Sequence, residues 1–463
     1  MELDTGATAW MLMSASLVLL MTPGLAFFYG GMVRGKSVLN MLMMSFSAMA
    51  VVVVVYVLWG WSMSYGADVM GLFGNPFDQF GLNGTIYDDA GEFAIDGFGV
   101  PVVVGVAFQV TFAIITTALI SGAIADRVKF GTWVAFTALW VTVSYFPLAH
   151  MVWGGGFLSG SETGLAARVF GVTDGAATVA PVDFAGGTVV HINAGIAGLV
   201  LALIVGKRRG FGREPMRPHN LPFVMLGAAL LWFGWFGFNA GSAFTADGTA
   251  GLAWVNTTAA TAAAILAWLL TEKIRDGHAT SLGAASGIVA GLVAITPAAG
   301  ALTPVTSLGL GAVAGALCAL AVGLKYRFGF DDSLDVVGVH LVGGLVGTVG
   351  IGFLATDSGL LLGGGVDLLV VQVLIAVVAM VFSGLVTLVI GLILKATMGW
   401  RVPDEVEITG VDLAVHGESA YETLGGARRS GGGDTSGPTR RADTAHETAH
   451  DDLGSARVTT EAK

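Results

Sequence analysis

The chain has 463 residues, of which 54% are hydrophobic and only 12% are charged, about half the charged fraction that is usual in soluble domains. A mean hydropathy of +0.77, 69 glycines and a single cysteine exclude a soluble enzyme with a buried core, a disulfide framework and a cysteine metal cluster. The net charge of −11 argues against a nucleic-acid partner, so we interpret the chain as a polytopic helical protein of a lipid bilayer.

Eleven apolar stretches of roughly bilayer-spanning length follow one another along the chain. They cover residues 7–28, 41–63, 99–123, 130–152, 186–205, 221–241, 251–270, 280–295, 307–324, 336–354 and 368–394. No short apolar stretch with a basic start precedes the first one, so we expect no signal peptide. The expected fold is therefore all-α, with 11 transmembrane helices.

The basic residues are distributed unevenly between the two sides of these stretches. Fifteen of the 22 lysines and arginines follow odd-numbered stretches, Arg168 alone follows an even-numbered one, and six lie beyond residue 421. By the positive-inside rule, the N-terminus should be outside and the C-terminus cytoplasmic. The outer loop 66–98 carries six acidic residues and no basic one; it either concentrates cations or keeps a halophilic surface hydrated.

Two segments of the chain repeat one another around a histidine. Asp183 precedes His191 by eight residues, Asp332 precedes His340 by eight, and both segments contain V-H-x3-G-x2-G. The copies are five stretches apart, so the second must enter the membrane from the opposite face. This predicts two inverted five-helix repeats plus a final helix, the plan of many transporters with a site near the midplane.

A histidine within an apolar stretch is a functional hypothesis by default. The alternative for His191 and His340 is a structural pair joined by an interhelical hydrogen bond, whereas His150 lies near an interface, where solvation explains it. Neutral imidazoles donate and accept hydrogen bonds and could line a path for a small polar solute.

No stretch contains a lysine for a retinal Schiff base or a mid-membrane carboxylate relay, and no phosphate-binding loop for ATP is present. With these classes of pump excluded, the sequence favours a permease for a small, nearly neutral solute.

At the outer ends of two stretches, an aromatic residue lies next to glycines or close to a serine. Trp153 precedes three glycines, and Phe238 is followed after three residues by Ser242. Such a tryptophan is typical of the interfacial aromatic belt. An uncovered indole beside a hydroxyl also forms a cation site, because cation–π attraction contributes about 0.5–2 kcal/mol. The pattern HExxH at 446–450 lies in a polar tail, and we interpret it as a chance match without a metal.

These segments together resemble the ammonium transporter family (Amt/Mep/Rhesus), in its prokaryotic Amt type. The resemblance runs from the first stretch to the motif at 411–421, about nine-tenths of the chain. It implies an 11-span fold of two inverted halves, assembled as a homotrimer in the cell membrane with one pore per subunit. It also implies transport of ammonium, ammonia and methylammonium for nitrogen uptake, and neither enzymatic activity nor a cofactor.

The resemblance further implies roles for eight side chains. They form an outer ammonium site (Trp153, Phe112 and Ser242, with Asp183 as its structural and electrostatic anchor), a gate (Phe112 and Phe238), a pore pair (His191 and His340) and a further pore-side position (Ser286).

Three regions are expected along the chain: a transporter domain at 1–395, a regulatory segment at 396–423 that communicates with a PII-type signal protein, and a disordered tail at 424–463. Two other functions remain open at this point. One is an ammonium sensor without net flux. The other is a membrane electron carrier whose haem is ligated by His191 and His340.

Overall fold

The computed structural model describes residues 2–421 of the chain. The predicted tail at 424–463 and the HExxH pattern at 446–450 lie outside the described residues.

Eleven helices in this part of the chain are long and apolar enough to cross a membrane, as the sequence predicts. In chain order they are α1 (Thr5–Met32), α2 (Val38–Tyr65), α3 (Val102–Ile124), α4 (Phe130–Trp153), α5 (Gly187–Val205), α6 (Leu221–Ala243), α7 (Gly248–Asp276), α8 (Ser281–Ala298), α9 (Pro304–Phe328), α10 (Val337–Leu354) and α11 (Asp367–Thr397).

Helices α7 and α9 are among those that continue further than their apolar stretches indicate. Helix α7 ends at Asp276 and α9 at Phe328, whereas the stretches end at 270 and 324. Lys273 and Lys325 therefore lie within helices and not in the loops that follow, which corrects the sequence-based boundaries. The reason is that cations are favoured in the last turn of a helix, where their polarity ends the apolar pattern before the helix itself ends.

Five of the long helices contain a π-helical turn. These turns are Tyr56–Gly60, Val141–Tyr145, Gly187–Ile192, Phe236–Ala240 and Val337–Leu341. Three predicted site residues, His191, Phe238 and His340, each fall in one of them. A π turn adds a residue to the helical turn and re-aims the side chains there, and such turns are frequent at functional sites.

The histidine motifs of α5 and α10 pack against one another reciprocally. A Cβ atom on Gly195 would lie 2.5 Å from the backbone nitrogen of Leu341, and a Cβ atom on Gly344 would lie 3.0 Å from the Cβ atom of His191. Each glycine is the residue four positions after its own histidine. Helices α5 and α10 therefore approach one another closely at two equivalent glycines, as an inverted repeat predicts.

The loops divide into two groups, which we call the acidic face and the basic face. The acidic face follows the even-numbered helices and includes 66–98 and two short antiparallel hairpins, β1 (Asp68–Val69) with β2 (Phe73–Gly74) and β3 (Val172–Thr173) with β4 (Ala176–Ala177). The basic face follows the odd-numbered helices and ends with α12 (Asp404–Thr409) and α13 (Val411–His416).

A buried ionic network joins three loops of the basic face. The guanidinium of Arg208 donates to the carboxylate of Asp331 at 2.9 Å and to that of Asp126 at 3.2 Å. Arg127 donates to the backbone carbonyl of Asp331 at 2.7 Å. Burial alone would raise the pKa of Asp331, but the hydrogen bonds and the charge of Arg208 outweigh it and lower that pKa. Burial lowers the pKa of Arg127 to about 10.

The segment after α11 lies against the same face. The carboxylate of Asp412 accepts hydrogen bonds from the backbone nitrogens of Leu39 (3.0 Å) and Asn40 (2.8 Å) in the first turn of α2. The carboxylate of Glu407 pairs with Arg401 and is fully buried. A negative charge at a helix N-terminus is stabilising, so Asp412 fastens α13 to the start of α2.

Candidate functional site

An open cavity of about 270 Å³ lies at the acidic face between α2, α3, α4 and α6. The structure brings three predicted site residues together in its wall, namely Trp153, Phe112 and Ser242. The other lining residues are Tyr65, Phe98, Gln109, Phe184 and Phe244. Six of these eight side chains are aromatic, so the wall presents several π faces to a cation.

The indole of Trp153 is held in one orientation. Its Nε1–H donates to the backbone carbonyl of Asp183 at 2.9 Å, and its ring stands edge-on to Phe112 with centroids 6.1 Å apart. Ser242 donates its hydroxyl hydrogen to the carbonyl of Phe238 at 2.8 Å. The hydroxyl oxygen of Ser242 can therefore accept a hydrogen bond from a cation in the cavity.

Asp183 supports this mouth without lining it. Its carboxylate accepts hydrogen bonds from the backbone nitrogens of Gly186 (2.7 Å), Gly187 (2.6 Å) and Thr188 (2.9 Å), and from the Thr188 hydroxyl. This is the geometry of a helix cap at the start of α5. The carboxylate oxygens are thus occupied by the chain itself, and Asp183 acts on the cavity through the main-chain carbonyl that fixes Trp153.

The glycines after Trp153 allow another segment of the chain to approach closely. A Cβ atom on Gly156 would lie 2.6 Å from the carbonyl oxygen of Gly71 in the loop between β1 and β2, and Gly155 has φ +85°. His150 lies behind them. It is fully buried and its Nε2 atom is 2.8 Å from Asp68, so the solvation expected for His150 is wrong. The glycines tie the loop to the tryptophan more than they uncover its ring.

Two stacked phenylalanines close the cavity towards the membrane interior. The rings of Phe112 and Phe238 have centroids 4.2 Å apart and an interplanar angle of 23°. Both side chains are buried. Phe112 lines the open cavity and Phe238 lines a narrow cavity beside the histidines, so the stacked rings lie between the two.

The two predicted pore histidines lie in contact beyond the phenylalanines. The Nδ1 atoms of His191 and His340 are 3.3 Å apart, and the rings are nearly parallel, with centroids at 5.4 Å. A narrow cavity beside them has a volume of about 10 Å³ for the centre of a water-sized molecule, which is room for one such molecule. Its walls are otherwise apolar, with Leu25, Ile115 and Leu231 among the lining side chains.

A second small cavity continues from His340 towards the basic face. Ser286, the further pore-side position expected from the resemblance, lines it together with Asp335 and Met32. Seven of the eight predicted side chains thus line one of these three cavities, and Asp183 lines none of them.

Two further side chains at these cavities are not predicted from the sequence. Gln109 lines the open cavity, and its buried Oε1 atom has no hydrogen-bond partner among residues 2–421. Trp235 stacks on His191 with centroids 5.6 Å apart. A lone amide in the apolar stretch 99–123 was a signal that could have found Gln109. Nothing in the sequence distinguishes Trp235 from the other tryptophans.

The geometry does not fit a haem ligated by His191 and His340. The facing nitrogens are in direct contact at 3.3 Å, and the adjoining cavity admits about one water-sized molecule. A porphyrin needs an iron between the two nitrogens and a flat space around it.

Comparisons with known proteins agree on one family. The sequence profile of the Ammonium Transporter Family matches residues 9–421. An ammonium transporter of Mycobacterium tuberculosis is 56% identical over 442 residues, which cover 90% of this chain and 91% of that protein. An ammonium transporter of Aquifex aeolicus is 48% identical over 430 residues, covering 91% and 94%.

Solved structures show the same fold. Mep2 of Candida albicans has a TM-score of 0.77 and 31% identity, covering 90% of this chain and 91% of that one. Mep2 of Saccharomyces cerevisiae has a TM-score of 0.76 and 30% identity, covering 87% and 91%. A protein titled Sensor Amt Protein has a TM-score of 0.78 and 29% identity, covering 88% and 98%.

Proposed function

The chain belongs to the ammonium transporter family, and on that premise we propose how this multi-pass membrane protein carries its substrate. Ammonium binds at Trp153, Phe112 and Ser242, loses a proton, and crosses as ammonia between the gate phenylalanines and along His191 and His340. The observation that carries this proposal is the order of an open aromatic cavity, a closed apolar gate and a buried imidazole pair. Members of this family are transporters, so the protein is not an enzyme.

The energetic argument favours deprotonation before passage. An isolated ammonium ion moved into apolar surroundings costs tens of kcal/mol in Born terms. Deprotonation at pH 7 of an amine with a pKa of about 10.4 costs roughly 4–5 kcal/mol. The apolar walls beside His191 therefore suit the neutral molecule, and the imidazoles offer it the hydrogen bonds that water no longer provides.

The open cavity suits recruitment of the ion. An indole face, a phenyl ring and a serine oxygen attract a small cation without a fixed negative charge, so the ion is not held too tightly to move on. Ammonium, and methylammonium with one more methyl group, both fit this description. The orientation of Trp153 by the Asp183 carbonyl keeps the indole in place between transport cycles.

We further propose the arrangement in the cell. The distribution of lysine and arginine favours the acidic face and the N-terminus outside, with the basic face and the C-terminal segment in the cytoplasm. Resemblance to the family favours a homotrimer and a PII-type signal protein as a partner at the basic face. The contacts of Asp412 and Glu407 support a role for 396–423 in communicating with that face.

Uptake of labelled methylammonium into proteoliposomes tests the transport mechanism. Saturable uptake that unlabelled ammonium inhibits is the expected result. Ammonium binding without any flux would contradict it and favour a sensor. Binding of ammonium to the same preparation in detergent is also measured by calorimetry. A sample that neither transports nor binds ammonium is then recognised as unfolded and is not mistaken for a sensor.

A further inference from the structure

The basic mouth of the pathway contains a charge pair beside the pore. Asp335 lines the small cavity that His340 and Ser286 also line, and this cavity has room for about one water-sized molecule. The Oδ1 atom of Asp335 accepts a hydrogen bond from the ammonium group of Lys325 at 2.6 Å. Among residues 2–421, Lys325 is the one hydrogen-bond partner of that carboxylate, which leaves Oδ2 free to accept another donor.

Asp335 adopts a left-handed backbone conformation just before α10. Its φ is +63°, in the left-handed region that few residues other than glycine, asparagine and aspartate occupy. The backbone carbonyl of Asp335 accepts from Val339 at 2.9 Å in the first turn of α10. Backbone strain of this kind is common at functional sites. Here it sets the side chain at the cavity, with about a third of it exposed.

The two mouths of the pathway differ in one equivalent position of the inverted repeat. Trp153 donates to the backbone carbonyl of Asp183, eight residues before His191, and Lys325 donates to that of Asp332 at 3.0 Å, eight residues before His340. An indole therefore occupies at one mouth the place that a buried cation occupies at the other. The cavity at the basic mouth is lined by the aromatic side chains of Phe28 and Tyr29 and also by the carboxylate of Asp335, which the cavity at the acidic mouth lacks.

We propose that Asp335 is a binding position for ammonium at the basic mouth, and that Lys325 keeps its affinity low. Ammonia that passes His340 takes a proton from hydronium in the water at the basic face, which leaves a water molecule, and the new cation donates to Oδ2 of Asp335 and to the hydroxyl of Ser286. A lone carboxylate would retain the ion. The positive charge of Lys325 weakens the attraction, and conduction requires a site that the ion can leave.

This inference rests on the proposed transport mechanism, and the test is chosen so that the two can fail separately. Membrane vesicles are prepared in two orientations, one with the acidic face outward and one with the basic face outward. Ammonium is added outside the vesicles, and its flux into them is measured. The half-saturating concentration for flux is measured from each face. Wild-type vesicles without saturable flux in either orientation would overturn the transport mechanism itself.

Asp335→Asn is the first variant, because asparagine tolerates the left-handed backbone at least as well as aspartate. We expect its half-saturating concentration from the basic face to rise on the order of tenfold, about 1.4 kcal/mol, and that from the acidic face to stay the same. Asp276→Asn is the matched control. Asp276 is a carboxylate of the same face, also paired with a base (Arg275, 2.6 Å), but it does not line the cavity.

Lys325→Gln should act in the opposite direction. Without the lysine charge, Asp335 binds ammonium more tightly, so the half-saturating concentration from the basic face falls and the maximal flux decreases. Wild-type values in both variants would overturn the proposal. Equal losses of flux and thermal stability in both, with unchanged half-saturating concentrations, would assign the pair a structural role instead. The thermal midpoint of each variant, measured on the same preparation, shows whether Asp335→Asn lost only its carboxylate or also its fold.

Discussion

The Nδ1 atoms of His191 and His340 face one another at 3.3 Å, so a hydrogen bond between the neutral rings requires one nitrogen to donate and the other to accept. The ring that accepts at Nδ1 must carry its hydrogen on Nε2, and the other ring has a bare Nε2. The pair thus presents one donor and one acceptor to the pathway. The Nε2 atom of His191 is buried without a partner among the described residues and is available to a solute.

Replacing both histidines by leucine should slow transport without unfolding the protein. Leucine keeps roughly the side-chain bulk but removes every donor and acceptor, at about 1–3 kcal/mol for each unmet polar group of the solute. Permeation should therefore fall by about one to four orders of magnitude, since 1.4 kcal/mol is a factor of ten. Leucine is well tolerated in a membrane helix, so the thermal midpoint should hold.

Thermal stability and proteoliposome flux must be measured on the same double-variant preparation. If the histidines are only an interhelical pair, stability falls and whatever folds still transports. Wild-type flux for each folded protein would therefore exclude the twin-histidine pore.

The spans were predictable because the bilayer sets their length and apolar character, and all eleven are confirmed. The glycine positions after His191 and His340 were also predictable from the repeated motif, and Gly195 and Gly344 do contact the opposite copy. These features depend on composition and spacing, which a sequence contains directly.

Other features depend on contacts between distant segments. The π turns at Gly187–Ile192 and Val337–Leu341 leave no mark on hydrophobic periodicity, because each adds only one residue to a turn. The contact between the buried His150 and the exposed Asp68 joins residues 82 positions apart. The Asp183 carboxylate was expected near the substrate, whereas its partners are the backbone nitrogens of its own helix. These features depend on which donor lies beside which acceptor in the folded protein, and the order of residues does not specify this.

Trp153→Leu should weaken apparent ammonium affinity and leave the protein folded. The leucine removes a cation–π contribution of about 0.5–2 kcal/mol, so the half-saturating concentration should rise roughly twofold to thirtyfold. Trp153→Phe keeps a π face and should have a smaller effect. The control is Trp254→Leu, which removes an exposed indole that does not line the cavity. Unchanged saturation kinetics in Trp153→Leu would count against recruitment at the indole.

Asp183→Asn distinguishes a helix cap from a substrate-binding carboxylate. An asparagine side chain has a single acceptor oxygen, so some of the backbone nitrogens at Gly186, Gly187 and Thr188 lose their acceptor, at about 1–3 kcal/mol each. We expect a lower thermal midpoint and a lower flux, with the half-saturating concentration for ammonium unchanged. A stable variant with a raised half-saturating concentration would instead indicate direct binding of the substrate by the carboxylate.

The pair of Arg208 and Asp331 should make stability depend on pH at the basic face. The pKa of Asp331 is lowered in the folded protein, because the hydrogen bonds and charge of Arg208 outweigh the effect of burial. A carboxylate whose folded pKa is depressed contributes stability that is present above its unfolded pKa, about 3.9, and is lost as the pH falls through the folded pKa.

Asp331→Asn leaves the buried guanidinium of Arg208 without its main counter-ion, and breaking such a pair costs about 3–5 kcal/mol. The variant should therefore be much less stable than the wild type at pH 7. The difference should narrow from about pH 4 downward, because the unfolded wild-type chain takes up a proton at Asp331 there, whereas the folded carboxylate stays charged to lower pH. Unfolding midpoints of both proteins between pH 3 and pH 7.5 measure this difference. A gap of constant size across that range would mean that the charge of Asp331 does not stabilise the fold and that its hydrogen-bonding shape alone does.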